Sequence, residues 1–281
     1  MEKERNIQNG YTLHAKDIVN AADGILYYGV QVCLREEKNK TGGVAAEEWV
    51  CYTVVTNKMG GRIMDYRAVC FDFDYTLGDA TESIVAGFQS AFGKMGLPIP
   101  ERDAIRATVG YVLEDAYTLL SGDASKEGRE TFRPLYQSVA FPMQEVGIPL
   151  FSGAPELLQG LKEAGMQLAI VSSRRSASIW PTMEREGLLE CFSLVIGGGE
   201  VKRHKPDPEG LLLALERLGL KKEEMLFCGD TVLDAGAAKN AGVDFAAVLN
   251  GTTKAEAFKE YPCVTVAEDL WALKKWLDSQ E

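Results

Sequence analysis

The segment Cys70-Phe71-Asp72-Phe73-Asp74-Tyr75-Thr76-Leu77 closes an apolar run with two aspartates spaced i, i+2 and a threonine two residues later. In an extended chain, residues i and i+2 point the same way, so the two carboxylates would crowd together. Their repulsion is costly unless a cation sits between them or one is protonated. A strand-ending turn has the same composition, so this motif alone decides nothing. Three further features narrow the reading. Ile170-Val171-Ser172-Ser173-Arg174 ends a second apolar run in hydroxyls. His204-Lys205-Pro206-Asp207-Pro208 sets a lysine just before a proline-started helix, and Phe227-Cys228-Gly229-Asp230 closes another run, with Asp234 four residues on. Singly, these are a cap, a solvated side chain and capping acids. Open parallel sheets, however, bind ligands in the crevice outside the carboxyl ends of their strands, and all four features would face it in one order.

The elements that must position these residues begin near Met64. From Arg67 on, short apolar runs alternate with amphipathic stretches, the signature of an α/β fold with a parallel sheet. Strands are expected at Ala68–Phe71, Gln167–Val171, Ser193–Ile196, Met225–Cys228 and Phe245–Leu249, each apolar enough to be covered on both faces. Helices are expected at Ala154–Ala164, Pro208–Leu218, Leu233–Ala241 and Ala267–Leu277. Between the first two strands lie three more helical patterns, Glu82–Met95, Arg102–Leu120 and Lys126–Val139. They read as a smaller helical cap domain over residues 81–150, inserted into a core made of 64–80 and 151–281. The fold expected is a Rossmann-like three-layer α/β/α parallel sheet with that cap. Residues 1–63 form an N-terminal extension to which no function is assigned. Within it, Ile25–Leu34 and Glu48–Thr56 suggest a β-hairpin joined by the polar loop Glu36–Gly43.

Composition limits the partners. The 281 residues carry 30 basic and 41 acidic side chains, a net charge of −11. Such a surface repels phosphate backbones and anionic lipid, which argues against a nucleic acid polymer or a membrane as partner. No apolar run is long enough to span a bilayer. The start MEKERNIQNG lacks the apolar core of a secretory signal. Six cysteines without C-x-x-C spacing read as buried free thiols, and a cytoplasmic location is expected.

The order of motifs resembles the haloacid dehalogenase superfamily, in its phosphoglycolate phosphatase-like subgroup with a helical cap. The resemblance covers about Met64 to Glu281. Asp72, Asp74 and Thr76 match its first motif, with Tyr75 where glycine is usual; Ser172 matches the second, Lys205 the third, and Asp230 and Asp234 the fourth. Tyr75 would put a bulky ring beside the phosphate loop and narrow substrate choice. The activity implied is hydrolysis of a small phosphomonoester through an aspartyl-phosphate. Asp72 would attack phosphorus, while Asp74 would protonate the leaving alcohol and then deprotonate water, its pKa raised by the negative neighbourhood. Ser172 and the Ser173 amide would hold phosphate oxygens, Lys205 would offset charge on Asp72 and the phosphoryl group, and Thr76 would fix the loop. Asp72, the Asp74 carbonyl and Asp230 form an oxygen-rich set suited to Mg²⁺, with Asp234 orienting metal-bound water or Lys205.

Two rivals share the core. A β-phosphoglucomutase-like enzyme would carry an arginine where Gly110-Tyr111-Val112-Leu113-Glu114-Asp115 has Leu113, although Arg106 could stand in for it. A catalytically silent binding module would be expected to lose at least one of Asp72, Asp74, Lys205 or Asp230, and all are present. Arg102, Arg106, Arg129 and Arg133 are candidates to meet a second anionic group on the substrate.

Overall fold

The computed structural model describes residues 66–280 in full and, ahead of them, the backbone of four strands. The chain divides into two compact units, 1–63 and 64–281. In the first, β1 (Lys3–Ile7), β2 (Tyr11–Ala22), β3 (Ile25–Glu36) and β4 (Trp49–Asn57) form an antiparallel sheet in that order. β3 pairs with β4 through registers such as Leu34↔Val50. β1 and β2 were not expected, because their sequences interleave Lys, Arg, His, Asp and Asn and carry no apolar run. Most of the polar loop Glu36–Gly43 lies outside the described residues.

The second unit is built on six parallel strands. They are β5 (Ala68–Phe71), β6 (Gln167–Val171), β7 (Phe192–Ile196), β8 (Met225–Gly229), β9 (Asp244–Val248) and β10 (Cys263–Ala267), in the order β10-β9-β8-β5-β6-β7. Alternate residues serve opposite faces, as a two-residue period requires. Val69, Phe71, Leu168, Ile170 and Leu226 enter one apolar core with α5 (Ala154–Glu163), α6 (Trp180–Arg185) and α9 (Leu270–Asp278). Ala68, Cys70, Ala169, Val171 and Phe227 enter the other with α7 (Glu209–Leu218) and α8 (Val232–Ala241). The α/β/α layering is therefore the one expected. Among the described residues, Cys70, Cys191, Cys228 and Cys263 are free thiols.

Two details differ from expectation. β10 is an additional edge strand, mostly half-buried and interrupted by Thr265, so it lacks the continuous buried apolar run of the central strands. It consumes the start of the expected closing helix, which begins instead at Leu270, with the Asp269 side chain accepting from the Ala272 amide at 2.8 Å.

Between β5 and α5 lies the helical block: α1 (Thr81–Lys94), α2 (Arg102–Arg106), α3 (Leu113–Ser121) and α4 (Lys126–Glu145). α1 packs on α4 through Phe88, Phe92, Phe132 and Tyr136, and Tyr117 of α3 stacks on Phe132 at 4.7 Å. The expected helix Arg102–Leu120 is broken in two. Gly110, at φ +102°, turns the chain toward the sheet, and a Cβ there would come within 3.0 Å of Thr231. α4 runs on past the expected Val139, with Pro134 and Pro142 inside it. The two connections between block and sheet run side by side. The Asp79 amide donates to Pro149 O at 2.8 Å, and the Phe151 amide donates to Leu77 O at 2.9 Å.

Candidate active site

Strand register brings the motifs together. Phe71 pairs with Ile170 on one side and Cys228 on the other, so Asp72, Ser172 and Asp230 emerge together at the C-terminal ends of β5, β6 and β8. The Asp72 amide donates to Cys228 O at 2.8 Å, which fixes the start of the loop. That loop then closes on itself: the amides of Leu77 and Gly78 both donate to Phe73 O at 2.9 Å. Tyr75 takes φ +61° to make the turn, the only described non-glycine residue with positive φ. For a bulky L-residue that region costs about 1–2 kcal/mol.

Beneath the crevice lies a buried ion cluster. Lys205 Nζ sits 3.0 Å from Asp72 Oδ1 and 2.5 Å from Asp234 Oδ1, with all three side chains at most 5% exposed. Asp234 Oδ2 accepts from the Thr231 amide at 3.0 Å while Thr231 caps α8, so both Asp234 oxygens are engaged. The geometry makes Asp234 the residue that holds Lys205. Burial works against the Lys205 charge, but Asp234 and then Asp72 outweigh it and raise the ammonium pKa above its ordinary range. Burial pushes the Asp72 carboxyl up to about 6, against the pull of Lys205. Burial and then the charges of Asp234 and Asp72 push Asp230 well above the ordinary carboxylate value.

One ligand oxygen from each of Asp72, Asp230 and Asp234 falls within 4.8 Å of the others. Asp230 Oδ1 accepts from Thr76 Oγ1 at 3.4 Å, whereas the buried Asp230 Oδ2 has no hydrogen-bond partner. A Cβ on Gly251 would lie 2.0 Å from that orphaned oxygen, so the missing side chain preserves its space. Raised, crowded carboxyls with an unsatisfied oxygen fit a divalent cation, which would relieve all three strains at once. The Asp74 side chain is not in this cluster, which leaves its main-chain carbonyl as its available ligand.

Asp74 is instead gripped by Arg174. Nε donates to Asp74 Oδ1 and Oδ2 at 3.1 and 2.9 Å, and Nη2 donates to Oδ1 at 2.8 Å, with the Arg174 side chain 7% exposed. Sequence reasoning placed only negative charge around Asp74 and missed this cation. Arg174 directly follows Ser172-Ser173 in the sequence, but only the placing of β6 beside β5 brings it to Asp74. Ser172 is buried, and its Oγ accepts from the Arg174 amide at 3.3 Å. The Ser173 hydroxyl donates to Gly110 O of the helical block at 2.8 Å.

Above these groups is a cavity of about 200 Å³ lined from both sides. Asp72, Asp74, Ser172 and Ser173 form its floor; Ile84, Phe88, Tyr136 and Phe141 form an apolar wall; Arg133 and Arg175 bring positive charge. Arg133 is ion-paired with Glu114, and burial, then Arg175, lowers its guanidinium pKa. The other three candidate arginines do not line the cavity. Arg102 pairs with Glu82, Arg106 with Tyr75 and Asp103, and Arg129 with Thr118 and Asp115. Nor does the Tyr75 ring line it. The ring is buried behind the loop, so the expected narrowing of substrate choice does not arise from it.

The family model for haloacid dehalogenase-like hydrolases matches residues 69–248, a span that contains every charged and hydroxyl-bearing residue of this site. The chain belongs to the haloacid dehalogenase-like hydrolases. A relative named "Probable phosphatase IndB" from Dickeya dadantii is 36% identical over 180 residues, 62% of this chain and 77% of that protein. A phosphoglycolate phosphatase of Salmonella typhi is 30% identical over 202 residues, 64% of this chain and 80% of that protein. Among solved structures, a haloacid dehalogenase-like hydrolase from Bacteroides fragilis superposes with a TM-score of 0.72 at 36% identity, over 74% of this chain and 99% of that one. Within the family this chain is a phosphatase. Among the described residues, no helix is long and apolar enough to cross a membrane.

Proposed function

We propose that this haloacid dehalogenase-like hydrolase is a Mg²⁺-dependent phosphatase that hydrolyses a small phosphomonoester through an aspartyl-phosphate on Asp72. The observation that carries this reading is the buried Asp72–Lys205–Asp234 cluster, of which Asp72 lines the cavity floor, together with the orphaned oxygen of Asp230 close by. Asp72 is the nucleophile: a carboxylate oxygen bonds to phosphorus as the ester P–O bond breaks. Lys205 screens the approach of two anions, with Asp234 holding it in place. Ser172 and the Ser173 amide hold equatorial phosphate oxygens. Mg²⁺, held by Asp72, the Asp74 carbonyl and Asp230, supplies Lewis-acid neutralisation of the charge on the transferring group. Asp74 lines the cavity and moves the proton, first to the leaving alcohol and later from the attacking water. Its grip by Arg174 means that Asp74 must turn out of the guanidinium fork before it donates.

Arg133 and Arg175, both lining the cavity, suit an alcohol portion that carries a second anion, and the named relatives make phosphoglycolate the leading candidate. The test is phosphate release from a panel of phosphomonoesters, with Mg²⁺ or with excess chelator. Release is expected only with metal, most efficiently from carboxylate-bearing esters. Arg133→Ala should raise KM for those esters about tenfold, the size of one charge-assisted contact, and change a neutral-alcohol ester little. Release that survives the chelator, or none from any ester, would refute the proposal.

Metal binding should also be visible without turnover. Asp72 and Asp230 hold protons in the fold that they lose in the unfolded chain. Metal-free stability should therefore fall as pH rises from the ordinary value of 3.8 through about 6. Mg²⁺ competes with those protons, so its increment in Tm should be larger at about pH 7.5 than at about pH 5. Gly251→Ala, which crowds Asp230 Oδ2, should shrink that increment. A Tm indifferent to Mg²⁺ at neutral pH would count against the site.

A further inference from the structure

Tyr75 is adjacent to Asp74 in the loop but performs none of the chemistry assigned above. Its hydroxyl crosses to the helical block. It lies 2.8 Å from Thr81 Oγ1, the first residue of α1, and accepts from Arg106 Nε of α2 at 3.3 Å. The Arg106 guanidinium carbon also stands 5.9 Å from the Tyr75 ring centroid. Thr81 in turn donates to Asp79 Oδ1 at 2.5 Å, inside the connection that joins sheet to block. One side chain thus ties together the loop that carries Asp72 and Asp74, the connecting segment, and two helices of the block. The ring is 2% exposed and its contact with Thr81 is buried, while Arg106 reaches it from a partly exposed position. The same residue carries the positive φ, a conformation that needs outside support to persist.

We infer that Tyr75 is a positioning residue that couples the seating of the helical block to the shape of the loop beneath it. With the block seated, Arg106 and Thr81 hold the Tyr75 ring, and the ring holds the backbone turn that sets Asp74 on one side and Thr76, the partner of Asp230, on the other. If the block swings about the paired connections at 78–80 and 149–151, Arg106 leaves with it while Tyr75 stays with β5. The left-handed turn then loses its support and relaxes. The loop is therefore in working geometry only when the block covers the cavity. Ser173 Oγ to Gly110 O, across the cavity, is a second tie between block and sheet that does not involve the loop backbone.

This inference rests on the phosphatase reading for its kinetic consequence, but not for its structural one. The test uses Tyr75→Phe, Arg106→Gln and the double variant of the full chain. The Tyr75→Phe change keeps the ring and removes only the bridging oxygen. Each single variant is expected to lower kcat about tenfold with little change in KM, since the bridge shapes the reacting loop and not the substrate-binding wall. The double variant should be no slower than the slower single, because both break the same link. Independently of any activity, hydrogen exchange at the amides of Gly78, Asp79, Ala80, Leu150 and Phe151 should rise about tenfold in all three while the amides of β6 and β8 keep their protection. Multiplicative losses in the double variant, or wild-type kcat in Tyr75→Phe, would overturn the coupling. If no phosphomonoester is hydrolysed, unchanged exchange at the two connections would overturn it alone, and locally raised exchange would sustain it.

Discussion

Asp72→Asn is expected to abolish turnover and leave the fold intact. The asparagine amide is nearly isosteric with the carboxylate, so the 2.8 Å backbone bond from residue 72 to Cys228 O and the packing around it should persist. What disappears is the oxygen proposed as nucleophile and one negative charge in a cluster of three buried carboxylates. Loss of a covalent nucleophile costs on the order of 10⁴-fold or more in kcat. Stability moves the other way. With Asp72 neutral, Asp230 and Asp234 are repelled less, so Tm of the metal-free variant should be equal to or above that of the wild type. Phosphate release and thermal melting of one purified variant check both halves. Turnover within tenfold of wild type would remove Asp72 from the mechanism.

Lys205→Met should fail in the opposite manner, losing stability along with the activity. Among the described residues its ammonium is the cation ion-paired with Asp72 and Asp234, and both carboxylates are essentially inaccessible to water. Removing one partner of a buried ion cluster while leaving the others charged typically costs about 3–5 kcal/mol. In a domain of this size that is a fall in Tm of roughly 10 °C. The deficit should narrow in acid, because protonated carboxyls no longer need the cation, and in Mg²⁺, which can take over part of its duty. A Lys205→Met protein that melts with the wild type at neutral pH would show that the cluster is not held as described.

The contrast between these two substitutions also shows which parts of the molecule could be read from sequence. Asp72, Ser172, Lys205 and Asp230 each follow an apolar run or precede a helix. Central parallel strands are apolar on both faces, so their ends are marked in the sequence, and the site sits at those ends. The expected β5 and β6 coincide with the observed strands residue for residue. The edge strand β10 was missed because half-exposure removes that mark. Side-chain partners across the sheet were not legible either. Nothing in the spacing of Asp74 and Arg174, a hundred residues apart, announces a two-pronged ion pair. The pairing arises because β6 lies beside β5, and strand order is a property of the fold that local patterns do not carry. The break of the expected helix Arg102–Leu120 is similar. Gly110 was visible, but its reason, contact with Thr231 and Ser173, belongs to the assembled site.

The sheet order has a consequence for how the enzyme comes into being. β5, the strand that ends in Asp72, lies at the centre of the sheet but is the first of its six strands to leave the ribosome. Its neighbour β6 is synthesised only after α1–α5, and its other neighbour β8 only after α7. Until then Ala68–Phe71 has no strand to pair with, while α1 and α4 already hold most of what they need to pack on each other. The nascent chain therefore passes through a long interval in which an apolar four-residue strand waits unpaired, the kind of exposure that makes non-local sheets slow to fold and prone to aggregate. The shortness of β5 and the two aspartates that end it are protections during that wait, because a brief strand closed by charge is a poor template for another chain.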